Sequence, residues 1–163
     1  MASKQNGDEK VNRATVTDFL VNNRRILKFH ELMLKEICGE YHLTLVEATI
    51  ISFLYNNPGK DTAADIAELR MIQKGNVSTA VELLVQKNLI SRIPDRTDRR
   101  KVHLALTEKA APLVQSVDRM QNEFEQALLA GMSLEEQKIF LQANRKMWEN
   151  IERMMDRRNK NEK

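Results

Sequence analysis

Between Leu89 and Thr107 the spacing of apolar residues changes period, so a chain that reads as helical on both sides must form strands there. Upstream, Val77, Ala80, Val81 and Leu84 recur at the spacing of one helix face. In "KVHLAL", Val102, Leu104 and Leu106 instead alternate with Lys101, His103 and Ala105, the period of two of a half-buried strand. "ISRIP" is a shorter partner, with Pro94 tolerable at the end of an edge strand. The two predict a hairpin whose loop, "DRTDRRK" from Asp95 to Lys101, packs four cations and two carboxylates into seven residues.

The rest of the chain reads as helix. Only five Gly and three Pro interrupt 163 residues that are 42% apolar and 30% charged, a poverty of breakers that favours helices. Met1 to Lys10 is polar and aperiodic, a disordered lead. Phe19, Ile26, Phe29, Met33 and Ile37 then make the stripe of a long helix, for which Gly39 is the expected C-terminal cap. Thr44 to Glu47 is a capping box that opens the apolar run "ATIISFLY", and "NNPG" closes it with turn chemistry. Thr62 caps "AADIAEL", with Asp65 at its N-terminus, and the short link "RMIQ" leads to "KGNVSTAVELLVQK". After the hairpin, Thr107 caps a helix striped by Leu113, Val117, Met120, Phe124 and Leu128. Gly131 ends it, and the box Ser133 to Glu136 opens a last helix with Phe140, Ala143, Met147, Ile151 and Met154 on one face.

Two helices joined by a short turn and followed by a hairpin describe a winged helix-turn-helix. The expected architecture is therefore mainly α, one domain over residues 1–163. It has a winged core at 44–106, a disordered lead at 1–10 and long flanking helices at 11–38 and 107–158. No apolar run approaches the ~20 residues of a membrane span, and the N-terminus lacks a signal peptide's apolar core. A single cysteine excludes an internal disulfide framework and suits a reducing cytosol. From Asn56 to Leu106 the chain holds nine Lys and Arg against six Asp and Glu, and elsewhere seventeen of each, so the net charge of +3 lies wholly in the middle third. A localised basic excess favours a polyanionic partner.

With the apolar stripe of "KGNVSTAVELLVQK" turned inward, Lys74, Gly75, Asn76, Ser78, Thr79 and Glu82 face outward. A helix of this size fits a major groove, where Asn, Ser and Thr can hydrogen-bond base edges. Gly75, near the helix start, lets the backbone approach a phosphate. The same pattern also suits a merely solvated helix face. The loop favours the first reading, because an arginine on a projecting tip can enter a narrow minor groove. Asp98 is spaced to orient Arg100 beforehand, and Arg96, Arg99 and Lys101 can serve phosphates. A self-paired, solvated charge cluster is the bland alternative.

"DRTDRRKVHLALT" resembles the wing signature of the MarR family of multiple antibiotic resistance regulators: an Asp-x-Arg in the wing, here Asp98 and Arg100, then a strand ending in Leu-Thr, here Leu106 and Thr107. "DIAELRMIQKGNVSTAVELLVQKNLISR" is similar to the family's helix-turn-helix, and the resemblance spans essentially the whole chain. It departs where the family often has a capping Ser and a mid-helix Arg, since this chain has Gln73 and Thr79. The resemblance implies a cytoplasmic, non-enzymatic repressor that binds a pseudo-palindromic operator in double-stranded DNA. It further implies a homodimer joined by the first and last helices, and a small-molecule effector in a cleft that some of the eight Met could line. Intramolecular packing is the other account of the terminal stripes.

Other signals are weaker. "HELML" at His30 to Leu34 starts like a metalloprotease helix, but Leu34 stands where the second His belongs. Cys38, Glu40 and His42, in an expected loop, make a thin metal-binding pattern, and no cofactor is implied. A redox role for Cys38, as in the family's peroxide-sensing branch, would be helped by Lys35 and opposed by Glu36 and Glu40. No nucleophile with its base appears, so no enzyme is read. A winged module that docks a protein instead of DNA is the reading from another class.

Overall fold

The computed structural model describes residues 13–98 and 100–161, with side chains over 16–98 and 100–158. The expected disordered lead at 1–10 lies outside the described residues. In chain order the elements are α1 (Arg13–Tyr41), α2 (Leu45–Asn56), α3 (Ala63–Leu69), α4 (Lys74–Gln86), β1 (Ile90–Pro94), β2 (Val102–Leu106), a short 3-10 turn (Glu108–Ala110), α5 (Ala111–Leu129) and α6 (Leu134–Asn161). They form two compact units that divide within α5, after Asn122.

The first unit is built around α2, whose Ala48, Ile50, Ile51 and Phe53 are all buried. Leu34 and Ile37 of α1, Ile66 of α3, Val77, Ala80, Val81 and Leu84 of α4, Ile90 and Leu104 of the hairpin, and Leu113, Val117 and Met120 of α5 join them in one cluster. Each such large side chain contributes about 1.5–3 kcal/mol on leaving water. The start of α2 is fixed by the expected capping box: the Thr44 hydroxyl accepts the Glu47 amide, and the Glu47 carboxylate accepts the Thr44 amide. Thr62 and Asp65 do the same for α3.

The helix C-termini follow a rule the glycines did not announce. Helix α1 runs through Gly39, the expected cap, and stops two residues later. His42 takes φ 52°, and the Leu43 amide reaches back to the Cys38 carbonyl at 3.0 Å. Helix α3 ends alike, with Met71 at φ 51° and Ile72 bonded to Ala67, and so does α4, with Asn88 at φ 57° and Leu89 bonded to Leu84. In each, an apolar residue just past the left-handed position (Leu43, Ile72, Leu89) turns back onto the core cluster. That burial outweighs the ~1–2 kcal/mol of left-handed backbone at a non-glycine residue.

The hairpin pairs Ile90 with Leu106 through to Pro94 with Val102. Only part of the expected strand face is covered. Leu104 is buried and Leu106 half-buried, but Val102 is 40% exposed, because the hairpin projects past the core. At its root β2 is joined to the α2–α3 connection, where Leu104 donates to the Asp61 carbonyl at 2.8 Å. Thr107 does not cap a helix with its side chain. Its hydroxyl donates to the Asn88 carbonyl at 2.7 Å, tying the strand's exit to the end of α4.

The second unit comprises the end of α5 and α6, linked through Gly131 at φ 80°. The Ser133–Glu136 capping box forms as expected. Ile139, Leu141, Trp148, Ile151, Met154 and Met155 of α6 stand exposed, as do Val16, Leu20, Leu27 and Leu32 of α1 in the first unit. Among the described residues, no single helix is long and apolar enough to cross a membrane.

One ion pair is held in the core. Glu47 is 1% exposed, and its Oε1 lies 2.7 Å from Lys87 Nζ, which also donates to the His42 carbonyl. Burial pushes the Glu47 carboxyl up, but Lys87 and the Thr44 amide and hydroxyl together outweigh it and leave it below its usual range. Lys87→Met is expected to lower unfolding free energy by about 2 kcal/mol, less than for a fully buried pair because Lys87 is 38% exposed. A lowered carboxyl stabilises above its unfolded pKa and loses that as the pH falls, so the penalty should shrink toward about pH 4 in urea titrations. Met71, 86% exposed at φ 51°, should tolerate Gly with a stability gain of about 0.5 kcal/mol by the same assay.

Candidate nucleic-acid interface

Burial of Val77, Ala80, Val81 and Leu84 fixes the rotation of α4, and its other face carries the residues expected there. Lys74, Gly75, Asn76, Ser78 and Thr79 are all exposed. Gln73 precedes the helix without a side-chain cap, so its first amides carry no internal side-chain acceptor there. A Cβ on Gly75 would meet open space, so nothing inside the protein requires a glycine at that point. The Thr79 hydroxyl donates to the Gly75 carbonyl at 3.0 Å, which leaves its lone pairs outward as acceptors. Glu82 is engaged otherwise: it takes Arg92 of β1 at 2.7 Å, a bond that holds its carboxyl below the usual range. A depression of about 150 Å³ lined by Ser78, Arg92 and Val102 lies beside that pair, so the outer face of α4 runs into the base of the wing.

The wing loop is organised by one carboxylate. Asp95 Oδ1 accepts the Thr97 amide and hydroxyl, each at 2.7 Å, and the Asp98 amide at 2.8 Å. Asp95 Oδ2 lies 3.0 Å from His103 Nε2. The Asp98 amide, then His103, then Thr97 hold the Asp95 carboxyl far below the usual carboxylate range. Asp98 does reach Arg100, but through the backbone: its Oδ1 accepts the Arg100 amide at 3.0 Å rather than clamping the guanidinium. The Asp98 carbonyl accepts the Lys101 amide at 2.9 Å. Both loop carboxylates are thus occupied by main-chain donors. Arg96, Arg100 and Lys101 stand exposed, in no ion pair among the described residues. Arg99 lies outside the described residues.

His103 is the residue the sequence reading passed over. Its position in β2 marks it as an outward polar residue, yet Nδ1 sits 2.6 Å from Asp61 Oδ1 while Nε2 faces Asp95. Those two carboxylates, Asp95 first, raise its pKa above the ordinary 6.5. Only the Asp95-x-Thr97 turn pattern is legible locally, whereas Asp61 lies 42 residues from His103.

Cys38 and Glu40 lie in the last turn of α1, not in a loop, and burial pushes the half-buried Cys38 thiol up. Among the described residues no three His, Cys, Asp or Glu side chains are grouped as a metal site. A cavity of about 270 Å³ opens between α1, α2 and the α3–α4 link, lined by Leu27, His30, Leu34, Thr49, Arg70 and Ile72 among others. Burial, then Arg70, lowers the pKa of His30 there, and the Arg70 guanidinium lies 5.5 Å from the Phe53 ring centroid.

A buried-stripe helix after a capped short helix, with a two-stranded wing behind it, defines a winged helix-turn-helix protein. Residues 42–101 match the model of the MarR family. The chain has the winged-helix fold of the MarR regulators, and its core at 42–101 is similar to that family. A MarR-family transcriptional regulator from Silicibacter pomeroyi is similar in structure with a TM-score of 0.71 at 19% identity, over 87% of this chain and 94% of that one. MepR of S. aureus, solved as a complex with DNA, gives 0.64 at 24% identity, over 81% and 97%. BpsR of Bordetella bronchiseptica, solved for the regulation of its DNA binding by 6-hydroxynicotinic acid, gives 0.60 at 22% identity, over 80% and 98%.

The Asp95 hub carries its own test. In Asp95→Ala the Thr97 and Asp98 amides lose their acceptor, so their hydrogen exchange should accelerate while core amides of α2 and α4 keep their protection. Unchanged exchange at both amides would mean the loop does not depend on Asp95.

Proposed function

We propose that the protein is a cytoplasmic, dimeric regulator of transcription that reads double-stranded DNA with α4 and the wing. Lys74, Asn76, Ser78 and Thr79 address base edges in the major groove, with Gly75 allowing close backbone approach. Arg100 enters the minor groove, and Arg96, Arg99 and Lys101 meet phosphates. The observation that carries this reading is the wing tip. Its carboxylates bond to its own backbone, and among the described residues Arg96, Arg100 and Lys101 enter no internal ion pair. Asp98 contributes by fixing the backbone from which Arg100 projects. The DNA complex of MepR supports the same use of the shared fold.

The exposed apolar faces of α1 and α6 are read as covered by a second copy, which places two wings on one pseudo-palindrome with half-sites about 10 bp apart. The first half of α5 packs instead into its own core, so among the flanking helices at 11–38 and 107–158 the dimer rests on α1 and α6. The mode of action is repression relieved by a small effector, for which the cavity beside His30 and Arg70 is the site. The regulation of BpsR by 6-hydroxynicotinic acid supports that part.

The test is fluorescence anisotropy on a site enriched from a random duplex pool, across a salt series. Affinity should fall steeply with salt as bound phosphates release counterions. Arg100→Ala should weaken the enriched site by about 1–3 kcal/mol. Salt-insensitive or undetectable binding would sink the DNA reading in favour of a protein-docking wing.

A further inference from the structure

His103 lies where three segments meet: strand β2, the wing loop through Asp95, and the α2–α3 connection through Asp61. A neutral imidazole has one N–H and one lone pair, so it can donate to only one of two carboxylates and must turn the lone pair toward the other. With Asp61 Oδ1 at 2.6 Å from Nδ1 and Asp95 Oδ2 at 3.0 Å from Nε2, the arrangement is satisfied only by the imidazolium, which donates to both.

The rest of the geometry says what this bridge connects. Asp61 directly precedes Thr62, the cap of α3, and Thr62 also makes an isolated bridge to His103. Asp95 is the hub on which the wing loop folds. One ring therefore links the first helix of the helix-turn-helix to the base of the loop that carries Arg96, Arg100 and Lys101. Among the described residues, Lys101 acts against the imidazolium and Asp61 and Asp95 act for it. Farther off, the Asp65 carboxylate is taken by Thr62, and β1 presents Ile93, which does not titrate, opposite His103.

We propose that His103 is a positioning residue for DNA binding: as an imidazolium bridging Asp61 and Asp95 it sets the wing against the helix-turn-helix, and the wing's grip on DNA loosens when the ring loses its second proton. The link from ring to grip rests on the DNA reading above. The sign follows from the raised His103 pKa. The bridge is complete below the ordinary imidazole range near 6.5 and is lost as the pH rises through the raised value. Asp95, lowered, remains ionised throughout that window.

Two measurements on the full chain decide it. The first follows the His103 ring by NMR through a pH titration, in the wild type and in Asp61→Asn and Asp95→Asn. The wild-type midpoint should lie above 6.5, each variant should shift it down, and the protection factors of the Thr97 and Asp98 amides, corrected for the intrinsic base-catalysed rise in exchange, should fall as the ring deprotonates. A midpoint at or below 6.5 overturns the bridge. The second measures anisotropy on one duplex from about pH 6 to about pH 9 for the wild type and His103→Gln. Wild-type affinity should fall by at least about fivefold, the low end of coupling between linked sites, and His103→Gln should show no such slope. Equal slopes overturn the positioning role even if the ring titrates as expected. Failure of all proteins to bind duplex at any pH overturns the DNA reading, while the ring titration still decides the bridge.

Discussion

The candidate interface depends on one packing decision, the burial of the α4 stripe against α2. Val77, Ala80, Val81 and Leu84 leave at most 4% of their surface to water, and four residues in contact with a rigid neighbour fix a helix's rotation. Once they face in, Lys74, Asn76, Ser78 and Thr79 have no choice but to face out. Helix α2 can serve as that neighbour because it is apolar on nearly every side, which a helix surrounded by α1, α4, α5 and the hairpin must be. The direction in which the chain leaves α4 is set by the same force. Leu89 folds back onto the core past left-handed Asn88, Ile90 is buried behind it, and the hairpin starts at a defined angle.

What the sequence made legible were features whose cause is local. A capping box needs residues three apart: both anticipated boxes form, and the expected Thr62 cap closes with Asp65 into a third. The change from helical period to alternation located both strands. The end of α1 was less legible because a glycine is the ordinary signal and Gly39 offers one, whereas α1, like α3 and α4, ends where an apolar residue follows a left-handed non-glycine one. At Gly39 nothing apolar is ready to fold back, so the helix continues to the point where Leu43 can. The ring of His103 was illegible for another reason. Its partners lie 42 and 8 residues away, and alternation alone assigns such a residue to solvent.

Asp98 shows how spacing can be right and the atom wrong. An Asp two residues before an Arg can meet its guanidinium or its amide, and both fit the pattern Asp-x-Arg. The fold selects the amide, because the loop turns tightly there and the donor lies within reach at 3.0 Å. The consequence differs from an ion pair. A carboxylate clamped on a guanidinium must be displaced or compensated when a phosphate or a groove arrives, whereas one bonded to the backbone stays in place and leaves the cationic head free.

The same distinction changes how the charge count should be read. The middle third has a formal excess of three positive charges, too few to be decisive. Yet its carboxylates are mostly held within the structure: Asp61 by His103, Asp65 by Thr62, Glu82 by Arg92, and Asp95 and Asp98 by the wing backbone. Their oxygens are committed, so they are held away from the cations at the tip. Lys74, Arg96, Arg100 and Lys101 remain exposed. The potential met by an approaching polyanion depends on where charges sit, not on their sum. A fold that ties acids to the frame and projects bases beyond it presents a more positive edge than its composition suggests.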